Sequence, residues 1–190
     1  MSVSLSLLPT AHFSPNLECF SAQSTAGGKK KQPPVVFVHG AFVGGWCWQR
    51  HFLAYFAAHG FDCYAPSLRG HGGSEGGSRL DHFGIREYVA DIATVVEGLQ
   101  SPPPILIGHS MGALVVQRYL EQHSVSAAVL MAPVPPQGLL PSTLRMAFAD
   151  PLLFWQYGMV QTLGSEAADE EIARRAVLSD DLPDADVGEA

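Results

Sequence analysis

The sequence predicts an α/β protein in which a parallel sheet is covered by helices on both faces, and two observations lead to this prediction. First, four short runs are uniformly apolar rather than alternating, as strands buried on both faces must be. These runs are Val35–Val38, Asp62–Ala65, Ile105–Ile107 and Ala127–Met131. Second, longer segments lie between the runs, and strand–helix alternation of this kind indicates right-handed crossovers within one parallel sheet.

The intervening segments are predicted to be helices. They span residues 46–59, 85–99 and 111–123. The second is the clearest, because its apolar residues recur at helical spacing from Ile85 to Leu99. Gly60 and Pro102 stand where two of these helices are expected to end. Beyond Met131 the strand signal stops, and the rest of the chain is predicted to be loop and two or three helices, with an aromatic-rich segment and an acidic tail.

A chain of 190 residues is long enough for one buried core. We divide it into a Ser-rich N-terminal segment and linker (residues 1–32), the sheet-bearing core (33–135) and a helical segment (136–190). The formal net charge of −7 disfavours a nucleic-acid partner, which would require clustered Lys and Arg. No apolar run approaches the roughly 20 residues of a transmembrane segment. Three cysteines without paired spacing favour reduced thiols, hence an intracellular protein.

The location within the cell depends on residues 1–28, which are Ser-rich and contain Glu18 as their only carboxylate. This composition is typical of an organelle transit peptide, although such peptides are usually rich in arginine and this segment has none. The alternative is a tail or a first strand over residues 16–23. We therefore expect a plastid or other organelle under the first interpretation and the cytoplasm under the second.

The strongest chemical signal is Gly108-His-Ser-Met-Gly112, which ends an apolar strand and opens an amphipathic helix. A serine on such a strand-to-helix turn projects its hydroxyl above the sheet edge, at the positive end of the helix. The tight turn requires tiny residues two positions before and after the serine, and Gly108 and Gly112 meet this requirement. Ser110 is therefore predicted to be a nucleophile; the alternative is that it only caps the helix.

The second signal is His39-Gly40-Ala41-Phe42, at the end of the first predicted core strand. Acyl transfer develops negative charge on an oxygen, and two backbone N–H groups directed at it lower the barrier by several kcal/mol. We expect these donors to be Met111, directly after the nucleophile, and Ala41, in the loop that His39 and Gly40 support. The alternative is an ordinary turn between a strand and a helix.

Three stretches, VFVHGAFVGGWCW, YAPSLRGHGGS and LIGHSMGALV, occur in this order within residues 33–135. Together they resemble the α/β-hydrolase fold superfamily, most closely its small esterase-like and lipase-like members with an HGA-x-x-G-x-W-C-W loop. The resemblance implies a nucleophile at Ser110, oxyanion donors at Ala41 and Met111, a small-molecule acyl substrate, and no cofactor or metal ion. The helical stretch to residue 190 resembles the start of that family's cap.

The chain departs from this family pattern in its catalytic base and acid. Family members carry the serine, then an acid, then a histidine in chain order, whereas no strand-end carboxylate or histidine follows Met131 here. Each of the eight histidines is better explained by a structural position, including His71 in the Arg-Gly-His-Gly loop, and none has metal-ligand spacing. The chain is therefore expected to be a fragment that lacks its catalytic acid and histidine.

Two other functions remain open at this point. One is a catalytically silent binding module that keeps the fold's pocket for an apolar ligand. The other is a lyase or a C–C bond hydrolase on the same scaffold. The aromatic residues after position 147 favour a lipophilic acyl or alcohol group, although they are explained equally well by packing of the cap against the core. The sequence does not determine the oligomeric state.

Overall fold

The computed structural model describes residues 4–8, 16–24, 32–152, 154–155 and 158. The chain divides into two compact units, Met1–Val134 and Pro135–Ala190. The first unit carries the whole described sheet, and the second carries a helix.

Six strands form a single sheet in the described part of the chain. They are β1 (Leu5–Leu8), β2 (Cys19–Ala22), β3 (Val35–Val38), β4 (Cys63–Pro66), β5 (Ile105–His109) and β6 (Ala127–Met131). Their order across the sheet is β1-β2-β4-β3-β5-β6. The last four strands of the chain run parallel, and both β1 and β4 pair with β2 in antiparallel fashion. The predicted α/β fold is confirmed, with the four predicted strands forming its parallel part.

The expectation of about four strands was too low, and the predicted parallel sheet is in fact mixed. β2 has the sequence Cys-Phe-Ser-Ala, and Ser21 interrupts its apolar residues, so it lacks the uniformly apolar run that identified the core strands. Its strand conformation comes from pairing along its whole length with β4, from Cys19 opposite Pro66 to Ala22 opposite Cys63. β2 lies within residues 16–23, the range of the first-strand alternative; whether the N-terminal segment also acts as a transit peptide stays a prediction.

The helices follow the predicted order with shorter bounds. They are α1 (Ala54–Ala58), α2 (Ile85–Gly98), α3 (Met111–Leu120) and, in the second unit, α4 (Leu140–Ala149). The single helix predicted over residues 46–59 is instead a composite: a 3₁₀ turn over Gly45–Trp48 and a π turn over Gln49–Leu53 precede α1. None of the described helices is both long and apolar enough to cross a membrane.

The sheet separates two apolar clusters. On one face Val36 and Val38 of β3 pack with residues of α2 and α3, and on the other face Val35 and Phe37 pack with Trp48 and its neighbours before α1. All four side chains of β3 are fully buried. This two-sided burial explains why the core strands are uniformly apolar, and it holds the C-terminal ends of β3 and β5 side by side.

β6 lies at one edge of the described sheet, beside β5. Its residues Ala127–Leu130 are exposed, including Val129 and Leu130, so this strand is much less covered than its neighbours. The neighbouring strand β5 is nonetheless paired along its full length, from Ile105 to His109. The turn that follows β5 therefore begins at the end of a strand that is paired with β6 along its whole length.

Candidate active site

Ser110 lies on the turn between β5 and α3, in a backbone conformation unusual for a residue with a side chain. Its φ is 53° and its ψ is −116°. A positive φ is costly for any residue other than glycine and is retained where the surroundings enforce it. Here the Ser110 N–H donates to the carbonyl of Met131 at 2.9 Å, and its own carbonyl accepts from Ala113 at 3.1 Å and Val134 at 3.3 Å.

The Ser110 hydroxyl is not used to cap the helix. The side chain makes no capping hydrogen bond to α3, and it is half-buried. Among the hydrogen bonds between described residues, none involves this hydroxyl. The alternative of a simple helix cap therefore loses its physical basis, and a hydroxyl on a strained turn is left available for chemistry.

Gly108 and Gly112 lie where side chains would collide with the backbone. A Cβ atom on Gly108 would lie 2.6 Å from the carbonyl oxygen of Gly112 and 2.7 Å from the Cα of Ala113. A Cβ atom on Gly112 would fall well inside 3.0 Å of the carbonyl oxygens of Val38 and His39. The first turn of α3 thus crosses the end of β3 at a distance that only glycine permits.

The loop after β3, residues 39–45, passes directly beside Ser110. We call it the oxyanion loop, after the role that the sequence predicts for Ala41. A Cβ atom on Gly40 would lie 3.3 Å from the Cβ of Ser110 and 3.2 Å from Nδ1 of His109. Ala41 and Phe42 are exposed, and Phe42 has a φ of 68°. The structure therefore brings together Ser110, the oxyanion loop and the N-terminus of α3, where the first N–H groups have no partner within the helix.

His39 is fully buried, and both of its ring nitrogens are occupied. Nε2 accepts the Leu68 N–H at 2.9 Å, so Nδ1 carries the proton and donates to the carbonyl of Gly40 at 2.7 Å. Burial lowers the pKa of His39 to about 4. It is therefore a neutral residue that fixes the start of the oxyanion loop rather than a base for Ser110.

This environment makes stability depend on pH. Because the folded pKa of His39 lies below that of an exposed histidine, its contribution is complete above about pH 6.5 and declines as the pH falls toward 4. Between about pH 7.5 and about pH 5 we expect a loss of about 2 kcal/mol in unfolding free energy from this residue. Urea titrations of the wild type and His39→Gln test this, with His51→Gln as an exposed control. Identical pH dependence of the wild type and His39→Gln would contradict it.

The remaining described histidines have structural contacts or are exposed. The His71 ring packs on His39 with centroids 5.0 Å apart and on Tyr88 at 5.7 Å, and burial lowers its pKa. Nδ1 of His59 and Nδ1 of His123 pair with backbone carbonyls one helical turn earlier. In the described part of the chain no histidine ring is hydrogen-bonded to the Ser110 hydroxyl; His12 lies outside it.

The three cysteines and any cluster of possible metal ligands are the alternatives to Ser110 chemistry. Cys19 and Cys63 are buried, Cys47 is half-buried, and none of the three is in a disulfide. Burial raises the pKa of each thiol to about 12, so none is a ready nucleophile at neutral pH. Within the residues the structure describes, no group of three or more His, Cys, Asp or Glu side chains could hold a metal ion.

Two side-chain contacts of carboxylates, one an ion pair and one a hydrogen bond, were not predicted from the sequence. Asp91 of α2 is fully buried and binds Arg69, and the Glu18 carboxylate accepts a hydrogen bond from Ser67. A signal for Asp91 existed, since it interrupts the apolar stripe that runs through Tyr88 and Ile92. The hydrogen bond between Ser67 and Glu18 joins residues 49 positions apart, and no local sequence pattern predicts it.

Comparison with known proteins connects this geometry to a family. A family model described as the alpha/beta hydrolase family matches residues 35–189. A non-heme chloroperoxidase of Streptomyces lividans is 37% identical over 112 residues, which cover 57% of this chain and 40% of that protein. Epoxide hydrolase A of Mycobacterium tuberculosis is 27% identical over 135 residues, which cover 68% of this chain and 42% of that protein. The chain thus spans about 40% of the length of these curated relatives.

Solved structures show the same likeness. Epoxide hydrolase A from Mycobacterium thermoresistibile superposes with a TM-score of 0.56 at 25% identity, over 77% of this chain and 45% of that one. An epoxide hydrolase from Vigna radiata superposes with a TM-score of 0.60 over 98% of this chain and 65% of that one. Its identity of 19% makes this second match evidence for the fold alone.

Proposed function

This chain belongs to the alpha/beta hydrolase family, and we propose that it is a serine hydrolase acting on carboxylic esters or related acyl compounds, with Ser110 as the nucleophile. The observation that carries the proposal is the Ser110 turn. The Ser110 hydroxyl has no hydrogen bond to the described residues, and it lies on a backbone with φ of 53°, beside the oxyanion loop and the N-terminus of α3.

In this mechanism the Ser110 oxygen attacks the carbonyl carbon of the substrate, and its proton passes to a general base. The negative charge that develops on the carbonyl oxygen is held by the N–H groups of Ala41 and Met111. The bond to the leaving alcohol then breaks and the alcohol takes up the proton, which leaves an acyl-enzyme. A water molecule that gives a proton to the base attacks this ester, releases the acid and restores the serine.

The general base in this proposal lies outside the described residues. The ring nitrogens of His39 are fully used, and burial lowers the pKa of both His39 and His71. Without a base, the fraction of Ser110 present as alkoxide limits the reaction. That fraction rises tenfold with each pH unit below the hydroxyl pKa.

Acyl transfer fits this chain better than the epoxide opening for which several relatives are named. If the Ser110 hydroxyl opened an epoxide, the product would be an ether, which water does not hydrolyse under these conditions. Attack on an acyl carbon instead gives an ester, which the same site can hydrolyse. The exposed Phe42 beside Ala41 supports a substrate with a lipophilic group.

Labelling by a fluorophosphonate probe tests this proposal on the 190-residue chain. We expect slow labelling that is lost in Ser110→Ala and retained in Ser124→Ala, an exposed serine outside the site. The rate should rise about tenfold per pH unit from about pH 6 to about pH 9. A plateau near neutral pH would mean that a histidine activates Ser110. Binding of an apolar ligand with no labelling at any pH would favour a silent binding module.

A further inference from the structure

The Ser67 hydroxyl, directly after β4, joins the far end of the oxyanion loop to a carboxylate. It accepts the N–H of Gly45 at 2.9 Å and donates to Oε2 of Glu18 at 2.5 Å. The N–H of Ser67 also donates to the carbonyl of Glu18 at 2.8 Å. Because Ser67 is buried and its hydroxyl both donates and accepts, its orientation is fixed.

Glu18, which is half-buried, has hydrogen-bond partners of its own. Its N–H donates to the hydroxyl of Ser74 at 2.9 Å, and Ser74 in turn donates to the carbonyl of Ser67 at 2.6 Å. Gly73 lies against the carboxylate, since a Cβ atom there would be 2.7 Å from Oε1 of Glu18. The backbone and the side chain of Glu18 therefore both have defined partners, and a charged acceptor makes the bond from Ser67 a strong one.

The oxyanion loop is thus fixed at both ends. The ring of His39 holds its first residues through the carbonyl of Gly40, and Ser67 holds its last through Gly45. Between these two points lies Phe42 with its positive φ of 68°. Such a conformation is unfavourable for a residue with a side chain and persists only where the surrounding structure enforces it.

We propose that Glu18 and Ser67 are positioning residues that hold the oxyanion loop in the geometry that directs the Ala41 N–H at the reacting oxygen. This inference rests on the proposed function for its effect on chemistry. Glu18 acts through Ser67, and Ser67 acts through the Gly45 amide, so neither side chain touches the substrate. Through Glu18, the segment that precedes β2 thereby helps to fix the position of the oxyanion loop.

Two measurements on the full chain test the proposal. The first is amide exchange at Gly45 by NMR, which we expect to accelerate about tenfold or more in Ser67→Ala and Glu18→Ala, because the acceptor is removed or released. The second is labelling of Ser110 by a fluorophosphonate. We expect its saturating rate to fall about 10- to 100-fold while the probe concentration at half-saturation stays the same. Glu18→Gln retains an oxygen acceptor for Ser67 and should restore most of both values.

The outcomes separate the two proposals. Unchanged Gly45 exchange in both alanine variants would overturn the positioning role, and so would faster exchange with an unchanged labelling rate. If the wild type is not labelled at all, the proposed function fails, while Gly45 exchange still decides whether Glu18 and Ser67 fix the loop. Val96→Ala in α2 controls for general loss of stability and should leave Gly45 exchange unaltered. If Ser67→Ala does not fold, the difference between Glu18→Ala and Glu18→Gln tests the positioning role.

Discussion

Replacing Gly112 with alanine is expected to lower the free energy of unfolding by at least about 3 kcal/mol. The new Cβ would fall well inside 3.0 Å of the carbonyl oxygens of Val38 and His39. Both are backbone atoms in or next to a fully buried strand, so neither carbonyl can shift without a large loss of stability. Urea or thermal unfolding followed by circular dichroism measures the loss, and a variant that fails to fold would show the same effect in its extreme form.

The matched control is Gly77→Ala. Apart from its two chain neighbours, no described residue has an atom within 4 Å of a Cβ built on Gly77, and its φ is outside the left-handed region. We expect a change within about 0.5 kcal/mol, as for most surface substitutions. If Gly112→Ala were as stable as this control, α3 would not approach β3 as closely as described, and the position of Ser110 would need revision.

The second large effect is expected at Asp91. This carboxylate is fully buried, and it accepts from Nε of Arg69 at 2.8 Å, from Nη2 at 2.5 Å and from the Arg69 N–H at 2.9 Å. Burial raises the pKa of Asp91, and the hydrogen bonds from Arg69 oppose that shift. Asp91→Asn should lower the free energy of unfolding by about 3 kcal/mol or more, because it leaves a largely buried guanidinium without its counter-charge.

Two further variants define the cause of that loss. Glu121→Gln removes the partner of Arg118 in an ion pair whose side chains are 46% and 56% exposed, so we expect a cost below about 1 kcal/mol. The double variant Arg69→Met with Asp91→Asn removes both charges and should recover part of the lost stability. A single Asp91→Asn variant that unfolds at the same urea concentration as the wild type would contradict this account.

The turn that carries Ser110 was predicted from the sequence because its signals are local. Two glycines at fixed spacing, an apolar strand before them and an amphipathic helix after them all fall within about 20 residues of one another. The same is true of β3 and the oxyanion loop that follows it. The positions of these elements depend on secondary-structure propensity and on the pattern of buried residues. Both can be inferred from residues that are close together in the sequence.

The partners of Ser67 and Arg69 could not be predicted in this way. Ser67 meets Glu18 across 49 positions, and Arg69 meets Asp91 across 22. Serine, glutamate and arginine are ordinary surface residues by composition. Only the packing of β2 against β4 and of α2 beneath the loop after β4 makes them neighbours.

By itself the sequence determined the α/β class, the four parallel strands and the turn on which Ser110 stands, because each follows from apolar periodicity or from glycine spacing along a continuous stretch. The tertiary structure decided the antiparallel strands β1 and β2, the neutral tautomer of His39 and the support of the oxyanion loop by Ser67. These features depend on hydrogen-bond partners that come together only when the sheet forms, and a buried polar group takes its role from the partner it finds there.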